Sequence, residues 1–562
     1  MVWKVLKGGG KIMNKSFKIL ALTLFLLFAF LFNLAYAYAY GNPLLEVIPE
    51  KVIAVLELKD AELIKSLSEL NLASFSTEKE EVSKTKDYKM TREEIKEELG
   101  FDILDPIFLE NIFSNGAVIS WLGVSVGGVP EVLLAISPSD SHTFLKFIGA
   151  IESKFNLKEK VSTFKGIDLV SIDLPEDAGL EPLKTISYAF LGDIIVIGGN
   201  LSPVKKAIDV FKGEVNSILK NSEYKGLKIK TDEMLETSSF FFCLFSEKLC
   251  QVLNELADLI EKEEVAKTLR DSRDSLEGMG PLSVAGVSLE KQFKAYMITK
   301  TSAEYLDMFK DLDLSNLRSL SMFPKNTFFY LGGLVPLTWE EMKNDFLSES
   351  SRADFEQNLA QAQSKIGIDI EEAVFSCLAK EFSLGLFDTS AIFPKVGLIT
   401  GYISEEKITQ DLYPALQMFA PMLGGELGDE EYEGVNYKSI ANPMFPLGYG
   451  IVGDRFVLSS GTINIIDAQK GDIATIDKLE AIKYMLSHPN VISLLYIDMN
   501  SVTEVVSRFM QMAEEGKTEE AKTEGEEVVD AMLKSLSSLK NVLAWGGIEE
   551  DYFYTWLEVN YN

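Results

Sequence analysis

One pentapeptide in the chain has the spacing of a catalytic serine motif. Residues 123–127, Gly-Val-Ser-Val-Gly, have the form G-x-S-x-G, with Ser125 in the nucleophile position. In a serine hydrolase this motif forms a sharp turn between a strand and a helix, which exposes the serine hydroxyl. Here the apolar stretch 131–137 follows, which predicts a second strand instead of a helix. We therefore expect Ser125 at the end of a hairpin, and serine hydrolase activity is the weakest of the functional hypotheses.

Other residue types that perform catalytic or metal chemistry are few and are not spaced for it. Two isolated histidines, His142 and His488, cannot form a His-rich zinc site. Gly198-Gly199 follows a predicted strand but lacks the third glycine of a dinucleotide-binding fingerprint. The calcium-like start at Asp311 lacks the glycine and the closing glutamate of an EF-hand loop. We predict no catalytic residue, no metal site and no cofactor.

Three cysteines, Cys243, Cys250 and Cys377, are too few for a disulfide framework, and their number is odd. A bridge between Cys243 and Cys250 would be compatible with an oxidising compartment. Cys243 lies in the apolar, strand-like run 240–245, however, where a small buried side chain is the favoured interpretation.

The overall composition excludes one class of partner. There are 85 acidic residues against 54 lysines and arginines, which gives a formal net charge of −31. A surface of this sign repels nucleic acid and anionic lipid headgroups, so nucleic-acid binding is not expected. The hydrophobic content of 47% and the charged content of 25% are typical of globular domains and exclude a disordered chain.

Residues 1–39 have the pattern of a secretory signal peptide. Lysines precede the apolar run 19–32, and alanines alternating with tyrosines up to Ala39 supply A-x-A cleavage sites. The run is shorter than the ~20 apolar residues that span a bilayer. A cleaved signal is therefore favoured over an inner-membrane anchor formed by residues 19–39, and the protein is expected in the periplasm or outside the cell.

Met13 is the predicted true start of translation. Residues 7–11, Lys-Gly-Gly-Gly-Lys, are what a purine-rich ribosome-binding site encodes when it is translated by mistake. The signal peptide would then begin two residues before its first lysine, Lys15.

A strand–turn–strand–helix pattern occurs twice, in residues 188–213 and 449–471. In both stretches a Gly-Asp pair divides two apolar runs, which predicts a two-residue hairpin turn. Ser202 and Thr462 are expected to cap the helices that follow, and the glycine ending each stretch predicts a left-handed helix end.

Further matches in the same order predict an internal duplication. Phe-Lys-Gly-Ile-Asp, from residue 164, corresponds to Tyr-Glu-Gly-Val-Asn, from residue 432. We expect a first repeat over 46–302, a connecting segment over 303–322 and a second repeat over 323–562. Strands in hairpins with helices between them predict two similar lobes of antiparallel sheet covered by helices, an α+β fold.

The aromatic residues of two predicted strands are candidates for an apolar binding site. Phe240 and Phe242 belong to one strand, and Phe328 and Tyr330 belong to another. Core burial is the default explanation of such positions. A carrier of a lipid or another apolar ligand would instead have a cavity lined by these four residues.

The repeated Phe-Lys-Gly-Ile-Asp strand, the Gly-Asp hairpin and the helix beginning Ser-Pro-Val-Lys-Lys-Ala-Ile resemble an exported bacterial family. It is the domain of unknown function numbered thirty-three fifty-two. The family has no assigned activity, so the resemblance implies an uncharacterised envelope protein and supplies neither catalytic residues nor a cofactor.

Three functional hypotheses follow from the sequence. The first is a non-enzymatic exported envelope protein that binds another protein or acts as a scaffold. The second is a carrier of an apolar ligand, and the third is a hydrolase that uses Ser125. The absence of a catalytic constellation in the sequence favours the first.

Overall fold

The computed structural model describes residues 42–59, 111–174, 185–309, 317–335, 349–514, 533 and 536–562, with interruptions of one to four residues inside these ranges. The predictions for the signal peptide, for Met13 and for Asp311 lie outside the described residues.

Two compact units divide the chain, and each combines antiparallel sheet with helices. Unit 1 comprises Met1–Ser288 with Tyr296–Ile298, and unit 2 comprises Leu289–Ala295 with Thr299–Asn562. Because helices and antiparallel strands occur in both units, the fold class is α+β, as predicted.

The sheet of unit 1 is antiparallel at every pairing in the described part of the chain, in the order β4-β5-β6-β7-β3-β2-β1-β8-β9. The elements are β1 (Ala54–Leu58), β2 (Ala117–Val124), β3 (Pro130–Ile136), α1 (Ser141–Phe155), β4 (Glu159–Phe164), β5 (Ile167–Asp173), β6 (Thr185–Leu191), β7 (Ile194–Gly198), α2 (Leu201–Phe211), α3 (Ser222–Met234), β8 (Phe240–Leu244), α4 (Ser246–Leu259), α5 (Glu263–Leu276) and β9 (Leu282–Leu289). Strand β10 (Gln292–Lys300) has residues in both units.

The strands of unit 2 follow the same order, β14-β15-β16-β17-β13-β12-β11-β18-β19-β20, and their described pairings are antiparallel too. The elements are β11 (Thr327–Val335), α6 (Glu349–Ile366), β12 (Leu378–Phe387), β13 (Lys395–Tyr402), α7 (Glu405–Lys407), a π-helical segment (Ile408–Leu412), α8 (Tyr413–Phe419), β14 (Glu426–Tyr432), β15 (Val435–Ala441), β16 (Leu447–Val452), β17 (Arg455–Ser459), α9 (Thr462–Lys470), α10 (Glu480–Leu486), β18 (Val491–Asp498), α11 (Met499–Glu514), β19 (Leu539–Glu549) and β20 (Tyr552–Tyr561).

The predicted hairpin turns are confirmed, whereas both predicted helix caps are wrong. Leu191 pairs with Ile194 across the two-residue turn, and Gly192 has a φ of 69°, which suits a residue without a Cβ. Helix α2 is capped by Asn200, whose side chain accepts a hydrogen bond from the amide of Ser202. Thr462 is the first residue of α9 and donates its hydroxyl to the carbonyl of Ser459.

Helices α2 and α3 cover one side of the unit 1 sheet. Gly198 pairs with Leu133, and a Cβ at Gly198 would lie 3.2 Å from a methyl of Val204 on α2. Tyr224 of α3 packs edge-on against Phe241, with ring centroids 5.6 Å apart. Leu133, Val204 and Phe241 are fully buried. This side of the sheet is therefore a closed core.

A buried ion pair fixes two strands of unit 2. The carboxylate of Glu381 on β12 accepts hydrogen bonds from Nε and Nη2 of Arg455 on β17, at 3.0 and 2.8 Å. Its other oxygen accepts from the amide of Ser319 at 2.8 Å. Glu381 is 2% exposed. Breaking such a pair leaves a buried charge without its counter-ion, which costs far more than losing an exposed pair.

We expect Arg455→Met to destabilise the protein by about 3–5 kcal/mol, because Glu381 would stay buried without its cation. The exposed pair between Lys438 and Asp429 is the matched control, and Lys438→Met should cost less than about 1 kcal/mol. Urea unfolding of the full chain measures both changes. Equal losses in the two variants would show that Glu381 finds another partner or takes up a proton.

Candidate apolar binding face

One side of the unit 1 sheet carries an uninterrupted row of apolar side chains. The residues face each other directly across neighbouring strands, from β9 at one end to β4 at the other. They are Val284, Phe242, Leu56, Ile119, Leu134, Ile197, Tyr188, Val170 and Val161. We call this set the unit 1 row. Directly opposed positions point to the same side of a sheet, so the row forms one continuous apolar surface.

Helix α1 covers only part of the unit 1 row. Phe144 of α1 is buried and packs edge-on against Tyr188, with ring centroids 5.8 Å apart. Ile148, one helical turn further on, also packs against this cluster. Ile119, Leu134, Ile197 and Phe242, near the middle, are only partly buried among the described residues. A contiguous apolar surface that stays partly open to water is typical of a binding site.

Unit 2 has an equivalent row on its own sheet. It runs across β20, β19, β18, β11, β12, β13, β17 and β16. Its residues are Leu557, Ala544, Leu495, Leu331, Leu384, Leu398, Leu458 and Tyr449. We call this set the unit 2 row. Tyr413 covers the Tyr449 end, with ring centroids 5.4 Å apart, whereas Leu331 near the middle is 43% exposed.

The four aromatic residues singled out from the sequence have different surroundings. Phe242 is a member of the unit 1 row, and Phe240, two residues earlier, lies beside it; both are partly buried. In unit 2, Phe328 and Tyr330 are buried, and the Tyr330 hydroxyl lies 3.0 Å from that of Ser319. The sheet register shows why: Tyr330 lies next to Leu331 in sequence and therefore points to the other side of the sheet.

The register also adds residues that sequence reasoning missed. Several members of the rows could not be recognised from the sequence of their own strand. They are Ile119, Leu134 and Ile197 in unit 1 and Leu331 and Leu384 in unit 2. Alternation along each strand was readable from the sequence. Which strands are neighbours was not, because the rows join strands far apart in the chain.

A buried carboxylate lies on the opposite side of the unit 1 sheet. Glu57 is 1% exposed, although its neighbour Leu56 belongs to the unit 1 row. Its carboxylate accepts a hydrogen bond from the hydroxyl of Tyr224 and lies 3.6 Å from Nζ of Lys228. Burial, with Glu57 close by, raises the pKa of Tyr224, so this hydroxyl stays a hydrogen-bond donor. The contact ties β1 to α3.

Lys59 completes this polar cluster. Its ammonium donates a hydrogen bond to Oγ of Ser238 at 2.7 Å and lies 3.9 Å from Asp232. Burial lowers the pKa of Lys59 to about 8, and the positive charge of Lys228 acts in the same direction. Ser238 is buried as well, so the contact joins the ends of β1 and β8.

A pair of carboxyl groups lies at the α1 end of the unit 1 row. Glu159 of β4 accepts a hydrogen bond from the hydroxyl of Tyr188 at 2.9 Å, and Oε1 of Glu152 on α1 is enclosed without a hydrogen-bond donor among the described residues. Burial, together with Glu159, raises the pKa of Glu152 to about 7. Glu152 therefore takes up a proton more readily than an exposed carboxyl does.

The residues considered for catalysis from the sequence lie apart from one another. Ser125 follows β2 at the hairpin end and accepts a hydrogen bond from the amide of Val129 through its side chain at 3.2 Å. His142 lies in the first turn of α1, where its amide donates to Asp140 at 2.9 Å. His488 lies in unit 2, beside the rings of Tyr484, Trp545 and Trp556. None of the described contacts joins a serine to a histidine.

Cys243 and Cys250 are not joined by a disulfide. Cys243 is fully buried on β8, and burial raises the pKa of its thiol. Cys250 lies on α4, with its sulfur 3.7 Å from the carbonyl of Arg273. The thiols therefore act as packing groups in the described structure, as favoured from the sequence.

The residues that the structure describes contain no cluster of three or more His, Cys, Asp or Glu side chains arranged to hold a metal ion. None of their helices combines the length and hydropathy needed to cross a bilayer.

The fold and the rows define a class: an α+β protein whose antiparallel sheets have one closed side and one partly open apolar side. A sequence model described as "Protein of unknown function (DUF3352)" matches residues 114–411, more than half of the chain. The chain belongs to this family, which confirms the resemblance noted in the sequence.

Two further comparisons add little. No curated protein matches the chain. A solved structure described as "Structure of crystal form IV of TP0453" is similar with a TM-score of 0.24 and 11% identity, and the match covers 48% of this chain and 85% of that one. A likeness at this TM-score carries no argument about fold or function.

We expect Tyr224→Phe to lower the free energy of unfolding by about 1.5–3 kcal/mol, because Glu57 would lose a donor while remaining buried. Tyr402→Phe is the control: its hydroxyl meets Glu405 at 3.5 Å on the surface and should contribute less than about 0.5 kcal/mol. Urea titration at pH 7 compares them. If the two variants unfold at the same urea concentration, water or another donor must replace Tyr224.

Proposed function

We propose that this chain is an exported, non-enzymatic protein of the cell envelope that binds a partner through the apolar rows of its sheets. The observation that carries the proposal is the partly open centre of the rows, at Leu134 and Phe242 in unit 1 and Leu331 in unit 2. Removing apolar surface from water lowers the free energy by about 25 cal/mol for each Å². A partner that covers a row would therefore be bound through the hydrophobic effect.

Two kinds of partner fit an apolar row. The first is another envelope protein with an apolar surface, for which this chain acts as a scaffold. The second is a lipid or another apolar small molecule, for which it acts as a carrier. Phe240 and Phe242 are compatible with both kinds of partner, because partly buried aromatic side chains present large apolar contact areas to a protein or to a small molecule.

The shared strand order of the two units supports an internal duplication. We infer that units 1 and 2 descend from one ancestral unit, and that the two rows are two copies of one binding surface. Tyr188 and Tyr449 occupy matching places in their rows, each covered by an aromatic ring from a helix. Export is inferred from the signal-like residues 1–39 and is independent of the rows.

The test of binding is native mass spectrometry of the protein purified from its own host, followed by solvent extraction of bound molecules. A stoichiometric organic molecule supports the carrier, and a co-purifying envelope protein supports the scaffold. The uncharged dye Nile red then reports whether the rows accept an apolar molecule. Absence of ligand, partner and dye binding would overturn the proposal, because the chain itself would then fill the rows.

Single substitutions in each row show whether the ligand binds to unit 1, to unit 2 or to both. We expect Phe242→Gln or Leu331→Gln to weaken binding of the identified ligand, or of Nile red, at least about tenfold, since each removes apolar contact area. Phe211→Gln is the control, because Phe211 is exposed at the end of α2, away from the rows. If Phe211→Gln weakens ligand binding as much as the row variants do, the ligand binds to a surface other than the rows.

Export predicts a mature protein that begins shortly after Ala37 or Ala39. The intact mass of protein from the envelope fraction should lack the signal segment completely, because a signal peptidase cuts after an A-x-A site. A membrane-bound species that still contains residues 19–39 would contradict cleavage and support the anchored alternative.

A further inference from the structure

The stretch that contains helices α2 and α3 is basic, although the chain as a whole is acidic. Residues 201–230 contain seven lysines and three acidic residues, which gives a net charge of +4. The formal net charge of the whole chain is −31. Exposed charges separated by more than the Debye length, about 8 Å at physiological ionic strength, are largely screened from one another. A surface that approaches this stretch therefore responds to its lysines more than to the net charge of the chain.

Three of these lysines are exposed and have no acidic partner among the described residues. Lys212 and Lys220 lie in the connection between α2 and α3, and Lys225 lies near the start of α3. Their ammonium groups form no ion pair in the described part of the chain. The three positive charges are therefore available to a partner.

The acidic residues of the same stretch do not neutralise these lysines. Asp209 and Glu214 both form ion pairs with Nζ of Lys165, which comes from the turn between β4 and β5. Two of the three acidic residues are thus already paired with a cation from outside the stretch. The third, Glu223, is exposed near the start of α3.

Exposed aliphatic side chains lie among the exposed lysines. Val215, in the same connection as Lys212, is 47% exposed, and Ile229, one helical turn after Lys225, is 58% exposed. The buried residues of α3 are Tyr224, Leu227 and Thr231. Because an α-helix has 3.6 residues per turn, Ile229 lies on the side of α3 opposite these buried residues. Positive charge and apolar surface therefore occur together on the outer side of unit 1.

We propose that this surface, which we call the basic face and define as Lys212, Val215, Lys220, Lys225 and Ile229, binds a membrane surface that contains anionic phospholipid. The lysines contact the headgroup phosphates, and the two aliphatic side chains enter the boundary between headgroups and acyl chains. The proposal goes beyond the proposed function and does not rest on it. The basic face belongs to the helices on the closed side of the unit 1 sheet and includes no residue of the rows.

The composition of the basic face favours lipid over an acidic protein. Residues 201–230 contain no arginine. Arginine pairs with carboxylates in a fixed, bidentate geometry and is enriched in protein interfaces, whereas lysine is a point charge that tolerates many arrangements of phosphates. Val215 and Ile229 are separate aliphatic groups, which suits insertion between lipid headgroups better than the packed apolar centre of a protein interface.

The corresponding stretch of unit 2 is not basic. Gly213 and Gly471 follow equivalent helices, which matches residues 459–488 to residues 201–230. Residues 459–488 contain three lysines and four acidic residues, a net charge of −1. The lysines all form ion pairs: Lys470 with Glu433 at 3.6 Å, Lys478 with Asp477 at 2.6 Å and Lys483 with Glu480 at 2.7 Å. Ile463 of α9 is 45% exposed, so the two stretches differ in charge and not in the presence of exposed aliphatic groups.

The proposal is tested by co-sedimentation of the protein, isolated from the envelope fraction, with lipid vesicles. Vesicles of equal parts phosphatidylglycerol and phosphatidylcholine are compared with vesicles of phosphatidylcholine alone. We expect binding to the anionic vesicles only, and a loss of at least about tenfold in about 0.5 M NaCl, because salt screens the attraction. The triple variant Lys212→Gln, Lys220→Gln, Lys225→Gln should bind the anionic vesicles at least about thirtyfold more weakly.

Unit 2 provides the matched control. The triple variant Lys470→Gln, Lys478→Gln, Lys483→Gln changes the net charge by the same amount and should bind as the unmodified protein does. Because all variants share the same N-terminal segment, any contribution of residues 1–39 cancels in the comparison. Urea unfolding of each variant checks that its fold is retained.

The aliphatic part of the basic face is tested separately. Ile229→Gln should weaken vesicle binding at least about fivefold while leaving its salt dependence unchanged, because it removes apolar contact and no charge. Ile463→Gln is the control on the equivalent helix pair of unit 2 and should have no effect.

Three outcomes would overturn the proposal. The first is equal binding to the two kinds of vesicle, and the second is an equal loss in the two triple variants. The third is binding to polyglutamate, lost in the unit 1 triple variant, without binding to vesicles; the basic face would then recognise an acidic protein. Nile red binding to the rows is measured without vesicles, so failure of the rows and failure of the basic face are observed independently.

Discussion

The fold of each unit depends on one antiparallel sheet, whose side chains alternate between its two sides along every strand. In unit 1 this alternation sends Leu56 to one side and Glu57 to the other. The side that carries Glu57 is closed by α2 and α3, and a Cβ at Gly198 would lie only 3.0 Å from the carbonyl oxygen of Asn200. The side that carries Leu56 is covered only in part by described residues. Binding is proposed for that side because the other is already filled.

Buried carboxylates serve different purposes in the two units. Glu381 is held by Arg455 in a geometry that satisfies the charge and locks β12 to β17. Glu57 is held by a tyrosine and a lysine from a single helix, and so secures α3 to β1. Glu152 differs from both, since its enclosed Oε1 has no hydrogen-bond donor among the described residues.

The shared strand order makes the differences between the units informative. Tyr188 and Tyr449 occupy the same place in their rows and are both covered by a helix, yet acidic residues reach Tyr188 whereas Leu416 packs in the cluster of Tyr449. One sheet architecture thus gives the two tyrosines different neighbours.

The sequence by itself determined the α+β class, the two-residue turns at Gly192 and Gly453, and the family, because these depend on local patterns of alternation and on residues that tolerate positive φ. It placed Phe242 on an apolar strand but could not pair it with Leu56 and Ile119, nor tell Tyr330 from Leu331 as the residue facing the core. It also could not bring Glu159 to Tyr188. Those assignments depend on which strands become neighbours and in what register. Only the tertiary structure decided them, because pairing joins residues far apart in the chain and one residue of slip reverses every side chain.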